Sequence, residues 1–212
     1  MLKTGCLTLI VILLLGAGLL YLLPHLKRVE QRAPVGTSPV SGVIALEPGA
    51  VHDAILKTFK QRATRPQGKF QGLDIAPAGE GIFPDDFQLR SFARDNPLLA
   101  AYTALDPAER KLDLYLRNFT DDYWTSEYFY NGAPAKFQCA FILHLQPAAD
   151  ASTRIEVIEH LPTIWVGKTF DLLGRHGPDF YYDIRFVGPT TSDRVEMLDT
   201  LRGLLTPPPE SK

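Results

Sequence analysis

The feature that most constrains this chain is an uncharged apolar run of 18 residues near its start, Cys6–Leu23. A helix of this length is about 27 Å long, close to the thickness of the hydrocarbon core of a bilayer. A cleavable signal peptide usually has a shorter apolar core that ends at a small-x-small site. Here the small residues 16–18 are followed by the sequence LLYLL. The run therefore predicts an uncleaved, single-pass transmembrane helix that anchors the chain within residues 1–24 and contacts the membrane through residues 6–23.

The charges on the two sides of this run bear on its orientation in the cell membrane. Lys3 precedes the run, whereas Lys27, Arg28 and Arg32 follow it. The positive-inside rule, taken alone, favours a cytoplasmic domain. A short, positively charged N-terminus before a long apolar core is nevertheless typical of signal anchors, which carry the following domain across the membrane. We expect an extracytoplasmic domain and leave the opposite orientation open.

The rest of the chain has the composition of a globular domain. Hydrophobic residues make up 45% and charged residues 22% of the sequence, which are ordinary values for a folded protein. Residues 25–40 are rich in proline and predict a linker, residues 41–206 predict one soluble domain, and residues 207–212 predict a disordered tail. Beyond residue 32 there are 18 basic and 23 acidic residues and no basic run. This excess of acidic residues argues against nucleic acid as a partner.

The first part of the domain combines a strand, two helices and a long connection. Residues 41–46 predict a short strand, and an apolar residue at every fourth position from Val51 to Phe59 predicts an amphipathic helix. Residues 64–96 are rich in proline and glycine, which predicts a long loop with at most short extended pieces. Asn96-Pro97 is a typical start of a second helix.

The second part of the domain alternates with a period of two from Leu112 onward and predicts strands. Asn131-Gly132 predicts a hairpin, with Pro134 expected to lengthen its turn, and a second hairpin is centred on residues 147–152. TIWVGKTF and FYYDIRFV predict two further strands. The chain then predicts a C-terminal helix capped by Asp193, with an apolar stripe that consists of Val195, Leu198, Leu201, Leu204 and Leu205.

This order of elements predicts the α+β class, with a mostly antiparallel, curved sheet packed on a long C-terminal helix. Over residues 41–205 it resembles the helix-grip fold of START-like and polyketide-cyclase-like domains. That resemblance implies an apolar cavity between the sheet and the helix, and the segment 64–96 departs from it. Pockets for apolar ligands are lined by apolar and aromatic side chains with a few polar groups. The candidate ligand-binding residues are Trp124, Tyr128, Tyr130, Trp165, Tyr182, Arg154 and Arg185. Filling of the core by the same aromatic residues is the structural alternative.

Catalytic and metal-binding signals are weak in this sequence. His144, His160 and His176 are spaced 16 residues apart, but no HxH or HExxH pair is present, and His144 is expected on the more solvated face of its strand. We assign no catalytic residue, no metal site and no cofactor. Residues that have a simpler structural interpretation are Asp85-Asp86, Asp121-Asp122 and Cys139.

The sequence therefore predicts a membrane-tethered, noncatalytic domain that binds an apolar or lipid-like ligand or a partner protein of the cell envelope. One alternative is a structural or assembly protein with a filled core. A second alternative is an uncharacterised enzyme of the hydrolase type that uses the histidines or the Asp pair.

Overall fold

A computed structural model describes residues 11–18, 29–31, 36–61, 64, 66, 70, 72–118, 124–130, 133–170 and 180–205. Its eight strands are β1 Val29–Gln31, β2 Val40–Ile44, β3 Leu73–Pro77, β4 Leu114–Asn118, β5 Trp124–Tyr130, β6 Ala133–Ala148, β7 Ser152–Phe170 and β8 Phe180–Phe186. Its helices are α1 Pro48–Lys60, α2 Asp86–Phe92, α3 Pro97–Thr103 and α4 Thr191–Leu205, with a 3₁₀ helix at Pro107–Arg110. The chain is thus α+β, with a curved antiparallel sheet and a C-terminal helix, as predicted.

The long hairpin formed by β6 and β7 is the centre of the sheet. Strands β4 and β3 extend the sheet beyond β6, and β2 extends it beyond β7. We call this part, with residues 139–148 and 152–160, the inner half. Farther along the hairpin, β5 and β1 extend the sheet beyond β6, and β8 extends it beyond β7. We call this part, with residues 133–138 and 161–170, the outer half.

Helices cover both faces of the inner half. One face packs against α1 and α4 through a cluster that includes Phe59, Phe141 and Leu201. The opposite face packs against α2 and α3 through a second cluster that includes Leu99 and Ile142. We call the first the arginine face, after the buried Arg194 of α4, and the second the histidine face, after His144 and His160. The second helical layer is absent from the predicted plan.

Two of the helices, α1 and α3, were predicted correctly, and α2 was not predicted. In α1, Val51, Ile55 and Phe59 are buried as their spacing predicts. In α3, the side chain of Asn96 accepts a hydrogen bond from the Leu99 amide and caps the helix. The predicted loop 64–96, however, contains β3 and α2. A capping box between Asp85 and Gln88 starts α2, and this signal lies directly after the Gly/Pro-rich stretch that suggested a loop.

Both predicted hairpins are present, and two details differ. Tyr130 pairs with Ala133, so Pro134 lies within β6 and does not lengthen the connection. TIWVGKTF is not a separate strand but the continuation of β7, which runs for 19 residues. Leu161 has a φ of 55°, and the register of β7 against β6 shifts at this point. The shift is a β-bulge, which bends the strand without ending it.

The C-terminal helix and the predicted linker also differ from expectation. Asp193 is buried in the first turn of α4, and Val195 and Leu204 of the predicted stripe are exposed, because Arg194 and Met197 take part in the buried face instead. Residues 29–31 of the predicted linker form β1 in the sheet. The domain therefore includes residues that precede position 41.

Residues 11–18, in the middle of the predicted anchor, are helical. Among the residues that the structure describes, no helix has both the length and the apolar character needed to cross a bilayer. The remaining residues of the run and the tail 207–212 lie outside the described ranges.

Candidate functional site

The structure distributes the predicted cavity residues over different parts of the sheet. The five aromatic residues all belong to strands of the outer half. By register, Trp165 and Tyr182 share the face that carries Phe186, the face continuous with the histidine face. The remaining three, Trp124, Tyr128 and Tyr130, lie on the opposite face. Their side chains lie outside the described part of the chain, so the cavity lining stays a prediction.

The two arginine candidates are also separated. Arg154 is exposed near the start of β7, where it pairs with Val43 of β2. Arg185 of β8 pairs with Ile164, ten residues farther along β7. At about 3.3 Å per residue, the two positions are about 30 Å apart. A single small ligand cannot contact both.

A partly open apolar pocket lies where the two halves of the sheet meet, and we call it the junction pocket. It has a volume of about 180 Å³ and is partly open to solvent. Phe92 of α2 and Phe186 of β8 form one side, with ring centroids 5.4 Å apart. Phe186 remains 60% exposed. The full lining consists of Ser91, Phe92, Asp95, Asn96, Leu99, Leu161, Pro162, Phe186, Val187 and Pro189.

The bulge at Leu161 forms the floor of this pocket. A positive φ is costly for a bulky residue such as leucine, and such conformations concentrate at functional sites. The amide of Val187 donates to the carbonyl oxygen of Pro162 at 3.0 Å, which holds the end of β8 beside the bulge. The chain thus maintains a strained residue at the place where an apolar surface is open.

Behind Phe92, the histidine face contains the buried His160. The rings of Phe92 and His160 pack in a T-shaped arrangement with their centroids 5.5 Å apart. Nδ1 of His160 and the Tyr115 hydroxyl share a hydrogen bond of 2.7 Å, and Nε2 has no partner among the described residues. Burial lowers the pKa of His160 to about 4, with a smaller contribution from the positive charge of Arg117. The ring is therefore neutral at physiological pH.

Glu159, the preceding residue, lies on the arginine face. Its carboxyl group accepts a hydrogen bond from the Thr190 amide at 2.9 Å, and the Thr190 hydroxyl bridges to Asp193 at 2.9 Å. Burial, and then the negative charge of Asp193, raise the pKa of Glu159 to about 8. The group is therefore mainly protonated at neutral pH.

Arg194 connects Gly36 and Ser38 to α4, close to the carboxyl group of Glu159. Its guanidinium donates to the carbonyl oxygens of Gly36, Ser38 and Thr190 at 2.8–3.0 Å. The Gly36 amide in turn donates to the carbonyl oxygen of Pro189, which lines the junction pocket. A Cβ atom at Gly36 would lie about 2.5 Å from Arg194 and 2.6 Å from the Thr191 amide nitrogen. Position 36 therefore requires glycine.

His144 is buried on the histidine face, so the prediction of a solvated position is wrong. Its Nδ1 donates to the carboxylate of Asp113 at 2.9 Å. The same carboxylate accepts from the Tyr102 hydroxyl at 2.7 Å and from the Leu145 amide at 3.1 Å. An Asp–His pair of this kind orients a general base in many hydrolases. Here only 2% of His144 is exposed and its Nε2 is enclosed, so the network holds the strands and helices together.

A second, more open pocket of about 350 Å³ lies next to this network. Arg110 is stacked over the Tyr102 ring at 5.4 Å and pairs with both oxygens of Asp86 at 2.8 and 3.3 Å. The hydrogen bond from Arg110 lowers the pKa of Asp86. Asp85 caps α2. Asp85 and Asp86 both line this pocket, and each has a structural partner.

The histidines do not converge on one site. His144 pairs with Glu156, four residues from His160 along β7, which corresponds to about 13 Å. No three His, Cys, Asp or Glu side chains within the described ranges are arranged to hold a metal ion. Cys139 is buried as expected. His176 and Asp121-Asp122 lie outside the described residues.

Sequence reasoning missed the junction pocket. Its residues come from α2, the bulge and the end of β8, and of these only the strand β8 was predicted from the sequence. The signal that could have located it is Leu161-Pro162, because proline within a strand is favoured at a bulge. Comparison of this chain with protein-family models, with curated proteins and with solved structures finds no match.

Proposed function

We propose that this chain is a membrane-tethered, noncatalytic domain that binds a lipid-like apolar chain in the junction pocket. The observation that carries the proposal is the partly open apolar pocket built on the strained Leu161. The pocket lies in a sheet whose first strand begins six residues after the apolar run ends. A lipid ligand from the same membrane would therefore lie near the pocket.

The proposed anchor is supported by the helix at residues 11–18. Val11, Ile12, Leu13, Leu14 and Leu15 are 47–68% exposed. Five consecutive large apolar side chains point in all directions around a helix, so no single protein surface could cover them. A lipid environment covers all of them at once. A signal anchor with an extracytoplasmic domain remains part of the proposal.

The size of the pocket favours one apolar chain over a whole lipid. Sites that enclose complete small molecules usually have volumes of about 300–1,000 Å³, and the junction pocket has about 180 Å³. Both faces of the inner half are filled by helices. The ligand chain is therefore expected to lie against Phe92, Phe186 and Leu161, with its polar end outside.

The proposal keeps the START-like relationship only for the curved sheet and the C-terminal helix. In the helix-grip plan the ligand lies between these two elements. The junction pocket lies instead on the face covered by α2 and α3, so ligand binding here depends on the segment that departs from that plan. An assembly role is the second candidate, and the exposed Phe186 favours it because exposed aromatic residues are typical of protein contacts.

Photocrosslinking in vesicles tests the lipid proposal. The full chain is reconstituted into phosphatidylcholine vesicles that contain a diazirine-labelled fatty acid, irradiated and digested. We expect saturable crosslinks on the peptides that carry Phe92, Leu161 and Phe186, and competition by unlabelled oleate. Crosslinks confined to residues 6–23 would reject the ligand site and favour the assembly role.

Two matched variants complete the test. Phe186→Ser removes a ring from the pocket and should reduce crosslinking about fivefold, because a ring contact is worth about 1 kcal/mol. Val43→Ser alters a residue of β2 that is also 60% exposed but lies in the inner half. This control should crosslink like the unaltered chain. Equal losses in both variants would contradict a site at the junction pocket.

A further inference from the structure

The chain enters the sheet at the outermost end of the outer half. Val29, the first residue of β1, pairs with Tyr130, and Tyr130 pairs with Ala133 across the β5–β6 hairpin. Only five residues, 24–28, separate Val29 from Leu23, the last residue of the apolar run. Even when fully extended, these residues span about 20 Å. The hairpin end of the outer half is thus the part of the sheet held closest to the anchor.

The neighbouring strands end at the same level. Phe137 pairs with Ile164, and Ala133 and Lys168 each lie four residues farther toward this end. Lys168 pairs with Tyr182, and Phe170 pairs with Phe180 just beyond it. The last residues of β5 and β7 and the first residues of β8 are therefore brought together beside the point of entry.

Seven aromatic residues are brought together at this end, beside Val29, Ala133 and Lys168. We call positions 128–130, 170 and 180–182 the aromatic end, and each of them is Tyr or Phe. The opposite end of the sheet, the turn between β6 and β7, has the sequence QPAADASTR from residue 146 and contains no aromatic residue. The aromatic residues are thus concentrated at the end that the short connection holds near the membrane.

Aromatic side chains with a polar group favour the headgroup region of a bilayer, because the ring is apolar and the hydroxyl group remains hydrated. By register, the aromatic end has such residues on both faces of the sheet, Tyr182 on one and Tyr130 on the other. An interface that surrounds the end of a sheet contacts both faces, whereas a cavity on one face does not.

We infer that the aromatic end lies in the headgroup region of the bilayer that holds the anchor, so that the domain contacts lipid at a second place. The inference rests on the membrane anchor of the proposed function but not on the junction pocket. The lipid interface is chosen over a partner protein because only five residues connect this end to the proposed anchor.

Tryptophan quenching by brominated lipid tests the inference on the full chain. The two natural tryptophans, Trp124 and Trp165, are replaced by phenylalanine, and one reporter is introduced as Tyr130→Trp or Tyr182→Trp. Val43→Trp, in β2 of the inner half, is the matched control. The chains are reconstituted into phosphatidylcholine vesicles with or without bromine near the top of the acyl chains, and circular dichroism verifies that each is folded.

We expect brominated lipid to lower the emission of both reporters at the aromatic end about twofold, because interfacial residues lie within reach of the upper acyl chain. In either lipid, both reporters should emit at shorter wavelength than the Val43→Trp control. The Val43→Trp control should be unaffected. Unquenched reporters in a chain that floats with the vesicles would overturn the inference and leave the anchor intact. A chain that does not float would overturn both. The natural Trp124 and Trp165, measured in the unaltered chain, give a second reading if the variants do not fold.

Discussion

Glu159 and His160 are neighbours in β7, yet they lie on opposite faces of the sheet and their pKa values move in opposite directions. Burial raises the pKa of Glu159 to about 8 and lowers that of His160 to about 4. The physical cause is the same for both, because a poorly hydrated site disfavours the charged form. For an acid this means a retained proton, and for a base it means a lost one.

The two faces differ in what surrounds these neutral groups. On the arginine face, Glu159 lies near Asp193 and the cation of Arg194, which is fully buried. On the histidine face, the group that contacts His160 most directly is the neutral hydroxyl of Tyr115. The arginine face therefore depends on a buried charge that joins Gly36 and Ser38 to α4, whereas the site of His160 depends on packing and a neutral hydrogen bond.

The largest expected effect comes from removing that buried charge. Arg194→Met should lower the free energy of unfolding by about 3–5 kcal/mol, because three carbonyl oxygens lose their hydrogen-bond donor. Urea unfolding of the full chain in detergent micelles measures the change. Arg202→Met, on the same helix, removes a half-exposed ion pair with Asp199 and should cost less than about 1 kcal/mol. If the two substitutions lower the free energy of unfolding equally, Arg194 stabilises the chain only as a positive charge on α4 and not through its hydrogen bonds.

The pH dependence of stability should separate the two faces. Glu159 has a raised pKa in the folded state, so its contribution is fully present below its ordinary pKa of 4.5 and is lost as the pH rises to about 8. His160 has a lowered pKa, so its contribution is present above 6.5 and is lost as the pH falls to about 4. Each group changes stability by at most about 1.4 kcal/mol per pH unit. The two slopes cancel between pH 4.5 and 6.5, and stability should fall between pH 6.5 and 8.

Two substitutions assign these slopes. Glu159→Gln keeps a neutral group on the arginine face and should abolish the loss of stability between pH 6.5 and 8. His160→Gln removes the opposing slope, so stability should already fall from pH 4.5 upward. Thermal unfolding at half-unit pH steps records both profiles. If Glu159→Gln retains the decline of the unaltered chain, another group titrates there.

Local signals predicted much of the inner half. The spacing of Val51, Ile55 and Phe59 and the Asn96 cap identified two helices, because each signal depends on contacts within a few residues. The helix α2 was not predicted, because the glycine and proline residues before Asp85 indicated a loop and the capping box that follows them was not recognised. His144 was assigned to the solvated face because the alternation of residues along β6 was taken to mean that one face of the sheet is exposed to solvent. The helices that cover this second face leave no signal in the sequence of β6.

The candidate site was less predictable than the fold. The aromatic residues were identified as important by their number, but their division between two faces depends on the bulges in β5 and β7. A shift of one residue changes the face on which every later residue lies. The junction pocket combines residues from α2, β7 and β8 that are far apart in sequence, so no local pattern could reveal it.

A smaller effect is expected from Gly36, which provides the close approach under Arg194. Gly36→Ala should lower the free energy of unfolding by about 1–3 kcal/mol, because the added Cβ meets the Thr191 backbone as well as the arginine. Gly49→Ala in α1 adds a Cβ where no atom lies within 4 Å, and should stabilise the chain by about 0.4–1 kcal/mol. Urea unfolding of both variants checks the difference. If Gly36→Ala leaves the free energy of unfolding unchanged, residues 36–38 can move away from Arg194 without a loss of stability.

The last comparison concerns two tyrosines on the histidine face. Tyr102→Phe removes a hydrogen bond to the carboxylate of Asp113 and should cost about 1.5–3 kcal/mol, the range for hydrogen bonds to charged groups. Tyr115→Phe removes a hydrogen bond to the neutral His160 and should cost about 0.5–1.5 kcal/mol. Both variants keep the ring, so differences in packing largely cancel. If Tyr115→Phe costs more than Tyr102→Phe in urea unfolding, the site of His160 does not depend on a neutral hydrogen bond, and the contrast between the two faces must have another origin.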